Sequence, residues 1–138
     1  MRVTLLCLCL LGLGGCSLWL PSQNPDQAWI DLQSPARNRL LAMEVDRQEW
    51  RDGRYFQVQP GAHELTVRYR FEVKPTNIGA VDQPHRRDCR LTLAYADFAP
   101  GQRYRLQAGK YGFRPWVRLY DPYDQLLARG QERGCRSI

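Results

Sequence analysis

The 138-residue chain is poor in the side chains that carry most enzyme chemistry, with two histidines, His63 and His85, and four serines, Ser17, Ser22, Ser34 and Ser137. Histidine is the usual acid–base group near neutral pH. His63 follows directly on Pro60-Gly61 and is expected to cap the backbone of that turn, and His85 falls in a loop-like stretch unsuited to fixed geometry. No serine stands in a G-x-S-x-G setting, so an activated-serine nucleophile is not expected. P-loop, G-x-G-x-x-G and H-E-x-x-H motifs are missing as well. Glu44 and Asp46, two residues apart on a candidate strand, share a face and have the composition of a paired-acid or calcium site, although a solvated strand face is the commoner origin of such a pair. The expectation is a protein that is not an enzyme and that uses neither cofactor nor metal.

Charged residues and histidine are absent from Val3 to Gly15, a run that follows Met1-Arg2 and contains Leu5, Leu6, Leu8, Leu10, Leu11 and Leu13. Its apolar stretch of about eleven residues would reach only about 16 Å as a helix, well short of the ~30 Å hydrocarbon core. A removed export signal fits better than a permanent span. The segment ends in Leu13-Gly14-Gly15-Cys16, which resembles the bacterial lipobox. That resemblance implies a diacylglycerol on the Cys16 thiol, cleavage before Cys16 and acylation of the new amine. A thiolate is the nucleophile suited to the thioether, and more than one acyl chain makes anchoring persistent. Ser17, where aspartate would favour retention at the inner membrane, implies transfer to the outer membrane, facing the periplasm.

Cys7 and Cys9 leave with the signal and Cys16 carries lipid, so two of the five cysteines remain in the mature chain, Cys89 and Cys135. Two thiols in an oxidising compartment are expected to form a disulfide. A zinc site would need a C-x-x-C pair or neighbouring histidines, which these cysteines lack. Closing a loop of this size removes about 4 kcal/mol of chain entropy from the unfolded state.

The expected organisation is a signal peptide over residues 1–15, a lipidated N-terminus and flexible tether over 16–27, and one domain over 28–138. Within the domain no helical stripe is convincing, and the dominant period is two. Leu65, Val67, Tyr69, Phe71 and Val73 alternate with Glu64, Thr66, Arg68, Arg70 and Glu72, the mark of a half-buried strand. Cys89, Leu91, Leu93 and Tyr95 repeat the pattern, as do Tyr104, Leu106 and Ala108. Shorter candidates run from Ala28 to Gln33, Leu40 to Asp46, Arg54 to Gln59, Arg114 to Asp121 and Gln125 to Gly130. Asp52-Gly53 reads as a hairpin turn between Trp50 and Tyr55, Pro60-Gly61 and Pro100-Gly101 as type II turns, and Lys74 to Asp88 as an exposed, mobile loop. The fold class is all-β, a single antiparallel β-sandwich or small barrel of roughly eight strands.

The segment Tyr55 to Tyr69, with Pro60-Gly61-Ala62-His63 leading into an alternating strand, resembles small envelope β-domains of the PEGA type. Together with the lipobox and Phe98-x-Pro100-Gly101-x-x-Tyr104, the chain is similar to small uncharacterised proteobacterial lipoproteins. The resemblance implies no catalytic residues.

Arginine outnumbers lysine eighteen to two, and without Arg2 the chain keeps a charge of about +5. Arg68 and Arg70 lie on the outward face of one strand, Arg103 and Arg105 on that of another. If those strands are neighbours, the four form an anion-binding patch, since the guanidinium fork matches phosphate and carboxylate. Outside the cytoplasm the partners would be envelope proteins, peptidoglycan or lipopolysaccharide, with the membrane itself held through the acyl chains and no nucleic acid involved. Among the late aromatics, Trp116 and Tyr120 are candidate contacts for a small ligand or glycan. The function expected is a non-catalytic binding or structural role in the cell envelope; a ligand-binding module is the alternative and an envelope hydrolase the third choice.

Overall fold

The computed structural model describes residues 20–74 and 85–138. Residues 1–19, which include the expected signal peptide and Cys16, and residues 75–84, most of the expected loop, lie outside the described residues. Among the described residues ten strands follow one another: β1 (Ala28–Gln33), β2 (Arg39–Val45), β3 (Gln48–Glu49), β4 (Tyr55–Val58), β5 (Gly61–Val73), β6 (His85–Phe98), β7 (Arg103–Tyr111), β8 (Arg114–Tyr120), β9 (Leu126–Arg129) and β10 (Gln131–Ser137). Among the described residues there is no helix. The strands form two five-stranded sheets, one ordered β4-β1-β7-β8-β9 and the other β10-β6-β5-β2-β3. The all-β expectation therefore holds, with β3 and β10 added to the strands read from sequence.

Alternation decides which side of each sheet is buried. On β5 the residues Leu65, Val67, Tyr69, Phe71 and Val73 are no more than 2% exposed, and they meet Leu91 and Leu93 of β6 from the same sheet. Opposite them lie Ile30, Phe56, Leu106, Val117 and Leu119 of the other sheet, closing one core. Each such side chain contributes about 1.5–3 kcal/mol through burial.

The chain changes sheet five times, and the turn residues serve those crossings. Asp52-Gly53 joins β3 to β4, which belong to different sheets, so it is a crossing and not the expected hairpin. Pro60-Gly61 and Pro100-Gly101 are also crossings; Gly61 and Gly101 take φ of 110° and 72° there, conformations open to a residue without Cβ. A two-residue hairpin occurs elsewhere, at Asp46-Arg47, where both residues are left-handed with φ of 51° and 66°, as a type I′ turn requires. Residues His85 to Asp88, expected to be loop, belong to β6, which begins at His85.

One pairing departs from the antiparallel expectation. β1 runs parallel to β7, Trp29 facing Arg103 and Gln33 facing Gln107, while the other pairings are antiparallel. Alternation records which face a side chain takes and says nothing about strand direction. Just before β1, Asn24 N donates to Gln57 Oε1 at 3.1 Å and Gly101 N to Gln27 O at 2.9 Å. The last residues of the stretch read as tether thus lie against the domain.

Candidate functional site

The expected patch of four arginines does not assemble. Arg68 and Arg70 project from β5 in one sheet, whereas Arg103 and Arg105 project from β7 in the other. The two pairs occupy opposite outer faces of the sandwich.

On the β7 face the arginines are spent on local partners. Arg103 grips Asp31 through Nε at 2.6 Å and Nη2 at 2.9 Å, and its guanidinium lies 5.5 Å from the Trp29 ring centre. Burial alone would raise the Asp31 carboxyl, but the hydrogen bonds from Arg103 and Trp29 hold it below its ordinary value. Arg105 donates to Asp124 at 2.7 Å and sits 5.0 Å from the Tyr120 ring. Trp116 lies flat over Gly109, whose missing Cβ would stand 2.2 Å from Trp116 Cζ2, and Arg118 covers the indole at 4.4 Å. The two candidate ligand contacts, Trp116 and Tyr120, are therefore each paired with an arginine of their own sheet.

Five arginines gather on the face of the other sheet. Register places Arg70 opposite Asp88, Asp88 opposite Arg136, and Arg68 opposite Arg90, so that β5, β6 and β10 contribute adjacent side chains. Asp88 is the hub and is only 5% exposed. Arg68 Nε donates to its Oδ1 at 2.9 Å, Arg136 Nη2 reaches Oδ2 at 3.4 Å, and Arg70 Nε stands 3.4 Å from Oδ2 as an ion pair. The Arg70 Nε–H is buried and has no hydrogen-bond acceptor. Burial pushes the Asp88 carboxyl up; the Arg68 hydrogen bond and charge, the Arg70 charge and the Arg136 hydrogen bond outweigh it and leave the group below its ordinary value.

Beside this hub, Arg90 Nη2 pairs with Glu44 and Arg133 Nε donates to Thr92 Oγ1 at 2.8 Å. A groove of about 450 Å³ runs between them, lined by Met43, Arg68, Asp88, Arg90, Arg133 and Arg136, together with Gly134 and Cys135. Met43 follows the inward-facing Ala42 and so lines the groove, and the bulge between Ala42 and Glu44 keeps Glu44 on the same outer face, opposite Thr66. Like charges directly opposite on neighbouring strands are destabilising, and two such pairs, Arg39 with Arg70 and Arg68 with Arg90, stand here. Cys89 and Cys135 face each other across β6 and β10 and are joined by the expected disulfide, which fixes the strand bearing Arg133 and Arg136 against the strand bearing Asp88 and Arg90.

Glu44 and Asp46 do not act as a pair. Glu44 engages Arg90, while Asp46 sits in the hairpin turn, accepting from Glu64 N at 2.8 Å and meeting His63 Nδ1 at 2.6 Å. His63 has the expected turn-capping position, its Nε2 2.7 Å from Gln59 O. The reading from sequence missed Asp88, Arg90, Arg133 and Arg136. The Cys89–Cys135 pairing was the signal that would have placed them together, since it aligns β10 with β6.

No family model, no curated protein and no solved structure matches this chain.

Proposed function

We propose that the chain is a lipid-anchored protein of the bacterial cell envelope, attached through acyl chains on Cys16 to the outer membrane, whose β-domain binds an anionic partner in the periplasm without catalysing a reaction. The observation that carries the binding role is the convergence of Arg68, Arg70 and Arg136 on Asp88 with Arg90 and Arg133 alongside. Guanidiniums oriented in this way present a fixed array of donors to an anion. The Leu13-Gly14-Gly15-Cys16 sequence supports the anchor, and its likeness to small envelope lipoproteins supports the compartment. Anchoring raises the local concentration of the domain near envelope partners.

The glycan-binding alternative has less support, because Trp116 and Tyr120 already carry Arg118 and Arg105 on their rings. Two measurements test the proposal. Metabolic labelling with palmitate should mark the wild-type chain and leave Cys16→Ala unlabelled. Crosslinking in intact cells, followed by purification from membranes, should recover a partner whose yield drops when Arg90 and Arg133 become glutamine. An unlabelled wild-type chain overturns the anchor, and recovery indifferent to both substitutions overturns the contact surface.

A further inference from the structure

We infer that the groove between β5, β6 and β10 is a subsite for a phosphomonoester carried on a discrete molecule, with Arg68, Arg90, Arg133 and Arg136 as the binding groups. The inference rests on the reading of this face as the contact surface and names its ligand.

Among the described residues each of these four arginines makes one side-chain hydrogen bond: Arg68 through Nε and Arg136 through Nη2 to Asp88, Arg90 through Nη2 to Glu44, and Arg133 through Nε to Thr92. A guanidinium has five N–H donors in a fixed fork. The contact already made orients each side chain, and because all four residues line the groove, the remaining donors of their forks are what a ligand there would meet. Asp88 and Glu44 are thus positioning residues, and the ligand is held by the arginines.

Charge selects among anions. The four lining arginines face two carboxylates, Asp88 and Glu44, which leaves a surplus of two positive charges before Arg70 is counted. A carboxylate brings one charge and two acceptor oxygens, and so neutralises half of that surplus. A phosphomonoester brings about −1.5 to −2 charges at neutral pH and three strong acceptor oxygens, matching the surplus and giving several forks an acceptor each.

Shape separates a discrete ligand from a bilayer. The arginines line a concavity of about 450 Å³. Four exposed apolar side chains that could enter a membrane, Tyr111, Phe113, Tyr123 and Leu126, belong to the hairpins of the opposite sheet, and on the groove's own sheet Ile138, just past β10, stands alone without an apolar cluster around it among the described residues.

The test uses the full chain in nonionic detergent micelles, titrated calorimetrically with glycerol phosphate, inorganic phosphate and acetate. Both phosphates should bind saturably, at least about tenfold tighter than acetate, and more tightly at pH 7.5 than at pH 5 as the second phosphate proton leaves near pH 6. Arg90→Gln with Arg133→Gln should weaken phosphate binding by about tenfold or more, the scale of losing charge-assisted hydrogen bonds. Arg103→Gln with Arg105→Gln, on the opposite sheet, should leave it unchanged. Near-UV circular dichroism confirms folding of each variant; if the double glutamine variant fails to fold, Arg90→Lys with Arg133→Lys takes its place, since lysine keeps the charge and loses the fork.

Acetate binding as tightly as phosphate, affinity indifferent to the groove substitutions, or binding seen only when the micelles contain phosphatidylglycerol would each overturn the inference. If these titrations fail while the crosslinked partner still depends on Arg90 and Arg133, the phosphate assignment falls and the envelope contact stands.

Discussion

Replacing Asp88 by asparagine removes one negative charge from among three guanidiniums while leaving the side chain's size unchanged. The carboxylate is 5% exposed and lies 2.9 Å from Arg68 and 3.4 Å from Arg70 and Arg136. Breaking a fully buried ion pair costs about 3–5 kcal/mol, and a hydrogen bond to a charged group contributes about 1.5–3 kcal/mol. The full penalty does not apply here. The side chains of Arg68, Arg70 and Arg136 are 30%, 39% and 67% exposed and can turn toward water, and asparagine keeps one acceptor oxygen for Arg68. The expected loss is about 2–3 kcal/mol at pH 7. Urea unfolding of a form beginning at Leu20, with the disulfide intact, measures it. The pH dependence has a definite sign: the folded carboxyl lies below its reference value of 3.8, so its contribution is complete above that value and fades as pH falls through the folded one. The gap between wild type and variant should therefore narrow on acidification. A gap below about 0.5 kcal/mol at pH 7, or one that widens in acid, would refute the assignment of Asp88 as the residue that organises these arginines.

Two further perturbations test the scaffold. Reducing the Cys89–Cys135 bond, which spans 46 residues, should lower the unfolding free energy by about 4 kcal/mol through regained chain entropy; an unchanged urea midpoint would count against that account. Gly130→Ala should be much more damaging than Gly109→Ala in thermal unfolding. A Cβ on Gly130 would stand 2.1 Å from Val117 Cγ1 and 2.9 Å from the Thr92 carbonyl oxygen, at the point where the chain passes from one sheet to the other, and overpacking of this kind costs about 1–3 kcal/mol or more. The three atoms nearest a Cβ on Gly109 all belong to the indole of Trp116, a side chain that can swing outward, so its main effect should be a red shift in tryptophan fluorescence. Equal melting temperatures for the two variants would contradict this ordering.

The contrast between Arg68 and Arg103 shows how far alternation can be read. Both residues stand at outward positions of strongly alternating strands, and the structure puts both on outer faces, because burial of every second residue is settled locally. The sheet to which a strand belongs is settled by tertiary pairing. β5 and β7 are equally regular in sequence, yet a crossing at Pro100-Gly101 sends β7 to the other sheet. Proline and glycine mark that the chain turns; whether it pairs back or passes over depends on what lies beyond. For the same reason Asp52-Gly53 reads as a hairpin and is a crossing, while the actual hairpin at Asp46-Arg47 lacks the glycine that would announce it.

The candidate site was hidden for a related reason. β10, Gln131–Ser137, has exposed residues at nearly every position and no alternation, so nothing local marks it as a strand. It is held at the sheet edge by the ladder to β6 and by Cys135. The pairing of Cys89 with Cys135 nevertheless contains the missing register. Two cysteines opposite each other on antiparallel strands require residue 88 to face 136, which puts Arg136 beside Asp88, and the ladder from β6 to β5 carries Asp88 on to Arg70. A covalent constraint legible in the cysteine count thus specifies the geometry of an electrostatic site that charge patterning alone assigns to the wrong pair of strands.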